Sequence, residues 1–120
     1  MDTNKQHKKN LQETIYKYGQ DEWKNRDAAF HSYLAHIFCD NFQENVLFLS
    51  GCTDYEFYVL CSALYEILVI AEYRGEDLKE IMSEVHSRAS EVEDDRLSPY
   101  IVHYIKWVQA WRPALKPNSY

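Results

Sequence analysis

The stretch Glu72-Tyr73-Arg74-Gly75-Glu76-Asp77-Leu78-Lys79-Glu80 (EYRGEDLKE) decides how this chain folds. A hydrophobic seam enters it on one side and leaves on the other. Phe57, Cys61, Leu64, Leu68, Ala71, Gly75, Leu78, Met82, Val85, Ala89 and Val92 follow an alternating four-and-three spacing. Taken alone, that seam describes one long helix of the coiled-coil kind. The local chemistry describes two helices. Arg74 complements the negative end of a helix, and Gly75 suits the left-handed conformation that ends one. Asp77 with Glu80 then forms a pair like a capping box, which satisfies the free N–H groups at a helix start. A glycine inside a helix costs only ~1 kcal/mol, so the seam has a rival claim. The cap signals favour a break at Gly75.

The same signals, read outward, predict an all-α fold. It is expected to be a compact bundle of about five helices, at approximately 4–18, 21–42, 54–74, 77–93 and 99–112. Thr3 and Gln6 fit a capping box before Leu11, Ile15 and Tyr18. Gly19 separates that stripe from the next, which comprises Trp23, Phe30, Tyr33, Leu34, Ile37 and Phe38. Residues 43–53 read as a connection anchored by Val46, Leu47 and Leu49, with a turn at Ser50-Gly51. Thr53 and Glu56 form another capping box. Ser98 is the expected N-cap of the last helix, with Pro99 at its first position. Ile101, Tyr104, Ile105, Val108 and Trp111 form its inward stripe, and Pro113 stops it. Residues 1–120 make a single domain by length, and 113–120 are expected to fray.

Composition narrows the function classes. Three Gly and three Pro leave little turn chemistry and favour long regular elements. The formal charge is −6, which disfavours non-specific binding to nucleic acid or an anionic membrane and allows a basic partner. A small basic patch at Lys5, His7, Lys8, Lys9 and Lys17 lacks the interleaved aromatics of a single-strand binder. Cys39, Cys52 and Cys61 make an odd count without metal or redox spacing, as expected of reduced thiols in a cytoplasmic protein. The N-terminus reads as polar, without a signal peptide. The most apolar run, residues 57–71, is shorter than the ~20 residues a membrane span needs.

Motifs for catalysis are missing. No histidine follows a glutamate by three residues, as di-iron bundles require, and HExxH is absent. His36, Cys39 and Asp40 share a helix face but lack a fourth ligand. Glu91 and Asp94 give an ExxD pair without the ExxE that helical pyrophosphatases use to hold Mg²⁺. Phosphate-binding glycine loops and a GxSxG elbow are also absent. The expectation is a protein that is not an enzyme and uses no cofactor or metal.

Two faces remain as leads. At ~100° per residue, Glu76, Glu80, Glu84, Glu91 and Asp94 fall within an ~80° arc of the helix expected at 77–93. Such a row resembles a phosphate backbone, though it is more sparsely charged than one DNA strand. Glu76 can serve simply as a helix-start charge, which leaves Glu80, Glu84, Glu91 and Asp94 as partner-binding candidates. Tyr55, Tyr58 and Tyr65 form the second face, suited to a homodimer or a protein target. The chain is therefore expected to be a small acidic interaction protein that binds and inhibits a partner. A mobile-element inhibitor that occludes a basic, nucleic-acid-binding surface fits its size and charge. The alternatives are a small-molecule-binding or catalytic bundle with a pocket between helices or subunits, and a structural homo-oligomer.

Overall fold

The computed structural model describes residues 10–16 and 27–112, and all regular structure among them is helical. The elements are α1 (helical over residues 10–16), α2 (Asp27–Asp40), α3 (Phe42–Phe48), α4 (Asp54–Ser62), α5 (Leu64–Tyr73), α6 (Leu78–Ala89) and α7 (Ser98–Trp111). The Thr3/Gln6 capping box, the basic patch, Trp23 and the 113–120 tail lie outside the described residues.

The break at Gly75 is present and fully capped. Gly75 has φ 81°. Its N–H donates to the Glu72 carbonyl at 3.1 Å, and the Glu76 N–H reaches back to Ala71 at 2.9 Å. Those paired bonds form a Schellman motif, which satisfies carbonyls a helix end would otherwise leave free. Asp77 then caps α6, its carboxylate accepting from the Lys79 N–H at 2.9 Å. Glu80 does not complete a box with it; Asp77 alone serves as the cap. Arg74 reaches across to Asp40 at 2.9 Å, tying the C-terminal ends of α2 and α5.

A second break interrupts the expected helix 54–74. Ala63 adopts φ −104° and ψ 10°, between α4 and α5. The Ala63 N–H donates to Leu60, three residues back, instead of four. The Ser62 hydroxyl also donates to a carbonyl three residues back, that of Val59. Back-bonding of this kind bends helices. The seam survives both breaks: Phe57, Cys61, Leu64, Leu68, Ala71, Met82 and Val85 are all buried. Apolar periodicity thus reported the burial correctly while missing one bend.

Residues 43–53 differ from the connection expected there, because Phe42–Phe48 is helical. Asn45 explains the compact junction. Its buried side-chain amide donates to the Phe38 carbonyl at 2.9 Å, satisfying the end of α2. Helical geometry also turns Leu47 outward to 69% exposure, while Val46 and Leu49 stay in the core.

The Thr53/Glu56 capping box forms as expected: Thr53 Oγ1 accepts from the Glu56 N–H at 3.1 Å, and Glu56 Oε1 accepts from the Thr53 N–H at 2.8 Å. At the last helix, Leu97 occupies the cap position, so Ser98 is the first helical residue rather than the N-cap. The core is centred on α5. It packs most extensively along α2, while α4 packs against α7. Leu11 and Ile15 bring α1 onto the same core. No helix among the described residues is long and apolar enough to cross a membrane.

Candidate protein-interaction surface

On α7, Ile101, Ile105 and Val108 are buried. Tyr100, His103, Tyr104, Trp107 and Trp111 occupy a neighbouring arc of ~100°. The aromatic arc therefore adjoins the buried one, and its rings lean onto α4 and α5. Tyr58 lies 6.2 Å from both Tyr100 and Tyr104, between ring centroids. Tyr65 lies 4.9 Å from Trp107 and 4.5 Å from Trp111, in edge-to-face contacts. Tyr55 connects Tyr58 to α1, with Tyr16 stacked on it at 5.7 Å. The outcome is a band of rings over four helices, in the offset and tilted geometries that aromatic quadrupoles favour.

Tyr55, Tyr58 and Tyr65 are half-buried and form the floor of this band. Its exposed parts come from elsewhere: Tyr16, Tyr100 and Trp107 are each more than half exposed, and Trp111 is 39% exposed. Sequence reading placed Trp111 in the inward stripe and passed over Tyr100 and Trp107. The missed signal was aromatic spacing at i, i+4, i+7 and i+11 on the last helix, one face round from the apolar stripe.

Beneath the band, Glu56 is buried with its carboxylate fully engaged. Besides the cap, Oε2 accepts from Gln12 at 3.2 Å and from the Tyr16 hydroxyl at 3.1 Å. Burial and the nearby Glu56 carboxylate hold the Tyr16 hydroxyl above the usual tyrosine range. One acidic side chain thus orders the start of α4 and fixes an exposed ring.

Next to the rings, a cleft of about 260 Å³ opens where the Ala63 bend faces α7. Ser62, Tyr65, Glu66, His103, Tyr104 and Trp107 are among the residues lining it. In sequence, Glu66 falls inside the apolar run 57–71. At the far end of the band, the Arg112 guanidinium sits 4.5 Å over the Trp111 ring and pairs with Glu72.

The acidic row is not a single face. Glu80 is exposed and Glu84 half-buried on α6, but the helix ends at Ala89. Glu91 and Asp94 therefore belong to the following loop and leave the arc that a helix to residue 93 implies. Asp94 is engaged locally: its carboxylate accepts from the Arg96 backbone N–H and side chain. The Arg96 hydrogen bonds hold the Asp94 carboxyl below the ordinary aspartate range.

A polar node anchors that loop. Arg88 is only 7% exposed. It donates to the Cys52 carbonyl at 2.9 Å and to Asp54 Oδ1 at 2.7 Å. Asp54 Oδ2 accepts the backbone N–H groups of Glu93 and Asp94 at 3.0 Å. The Arg88 bond lowers the Asp54 pKa; burial opposes it and the two backbone donors reinforce it.

Among the described residues, no group of three or more His, Cys, Asp or Glu side chains converges to hold a metal ion. His36 bonds the Ser32 carbonyl, Asp40 pairs with Arg74, and Cys39 is buried against Ile67. Burial pushes the Cys39 and Cys52 thiols up to about 11, and it raises the Cys61 thiol as well. Protonated thiols are poor nucleophiles and poor metal ligands. The chain matches no protein-family model, no curated protein and no solved structure.

Proposed function

We propose that this chain is a small acidic interaction protein that binds a partner with a basic surface, with the aromatic band as the principal contact. The observation that carries this reading is the cluster of exposed rings, Tyr16, Tyr100, Trp107 and Trp111, braced by half-buried tyrosines. Trp and Tyr are enriched at binding hot spots because they bury much area with few rotatable bonds. Rings already held by neighbours lose little further freedom on association. The formal charge of −6 and the exposed Glu80 steer a basic surface toward contact. If that surface is the partner's own substrate groove, binding inhibits the partner by occlusion.

A small-molecule site is the weaker reading. The cleft of about 260 Å³ lies just below the ~300–1,000 Å³ typical of ligand pockets. The test is affinity capture from the source cells, with Tyr100→Ala/Trp111→Ala as the comparison. A partner held by the wild type and lost from the folded double variant supports the proposal. A partner held equally by both rules out the aromatic band as the contact.

A further inference from the structure

We infer that the cleft between α5 and α7 is a socket for one arginine side chain of the partner protein, a claim that rests on the basic-partner reading above. The molecule supplies its own example of the chemistry. Arg112 lies over the Trp111 ring and pairs with Glu72, so the fold already seats one guanidinium between an α7 tryptophan and an α5 carboxylate. Trp107 lies one turn before Trp111 on α7, and Glu66 is the other carboxylate of α5 facing this helix. They share the cleft without an arginine between them. No described residue pairs with the Glu66 carboxylate, and Trp107 is 52% exposed.

The remaining walls suit the same occupant. Tyr65 and Tyr104 present aromatic surface, and Ser62 and His103 supply polar edges. A planar, weakly hydrated guanidinium stacks on rings and bonds a carboxylate at once, which a lysine ammonium does less well. A volume of about 260 Å³ has room for one long side chain. Charge decides the sign: Glu66 is the only charged residue lining the cleft among those described, so it attracts a cation and repels an acidic peptide.

The test is an NMR titration of the full-length, ¹⁵N-labelled protein with capped hexa-arginine, hexa-lysine and hexa-glutamate peptides at low salt. Hexa-arginine is expected to shift the Trp107 indole N–H and the Tyr65 and Glu66 amides. Glu66→Gln should then weaken that binding roughly fivefold, while circular dichroism stays unchanged. Trp107→Leu provides a second variant if the first perturbs folding, and it should weaken binding at least as much. Shifts confined to Tyr100, Trp111 or α6 would overturn the socket and leave the basic-partner reading standing. No shift anywhere with hexa-arginine would overturn both. Equal affinity for hexa-lysine would overturn the arginine assignment.

Discussion

The aromatic face of α7 and the acidic face of α6 are both at the surface, but they are built differently. Each exposed ring of the first touches another ring, and Tyr16 is also pinned by Glu56. Glu80 on the second is exposed, and Glu91 and Asp94 have left the helix for a loop. A held group enters an interface with little loss of side-chain freedom, whereas an exposed glutamate without a partner loses more on binding. On the proposed function, the two faces have separate tasks: the rings set affinity, and the α6 carboxylates set the rate of approach.

The widest test of that division removes the node beneath the acidic loop. Arg88→Ala leaves Asp54 without its cation and so loosens the carboxylate that holds the Glu93 and Asp94 backbone N–H groups. We expect a loss of ~3 kcal/mol in denaturant unfolding, the low end for breaking a buried pair, because the Asp54 side chain is still 22% exposed. Partner affinity of the folded fraction should not change. A large loss of affinity would mean the loop, not the rings, makes the contact.

The next largest effect belongs to the rings. Trp107→Ala should cost ~2 kcal/mol of binding, about thirtyfold in Kd, with little change in unfolding. Calorimetric titration against the captured partner measures it.

Acid titration probes the polar node more gently. The Asp54 pKa falls on folding, so its contribution is present above the unfolded value of ~3.9 and is lost as pH falls through the folded value. Asp54→Asn should therefore lower stability by ~1 kcal/mol at neutral pH. The deficit should shrink as the pH drops below ~4. A deficit independent of pH would mean that the charge on Asp54 contributes nothing.

Smallest is the charge reversal Glu80→Lys/Glu84→Lys. It should slow association a fewfold at low salt, with little effect at high salt and on dissociation. Stopped-flow mixing separates the two rates, and an accelerated dissociation would move the acidic face into the contact itself.

What the sequence disclosed follows the physics of each signal. Gly75 was readable because a left-handed helix end needs a residue without a side-chain clash, and Asp77 followed as a cap. The bend at Ala63 carried no such punctuation; it rests on a serine back-bond and one tightened turn inside an apolar run. Asn45 looked like an ordinary loop residue because its work is to cap a different helix. The floor of the aromatic band was legible in Tyr55, Tyr58 and Tyr65. Its exposed half was not, because only tertiary packing brings Tyr16, Tyr100 and Trp107 to the same place. The acidic row looked continuous only while the helix was taken past Ala89.

The central claim is that the rings rather than the carboxylates of α6 hold the partner. The most direct measurement compares equilibrium partner affinity for wild type, Trp107→Ala and Glu80→Lys/Glu84→Lys at physiological salt. The account predicts that the tryptophan variant loses most of the affinity and the charge-reversed variant keeps most of it. The reverse order, with binding intact in Trp107→Ala and abolished by charge reversal, would contradict it.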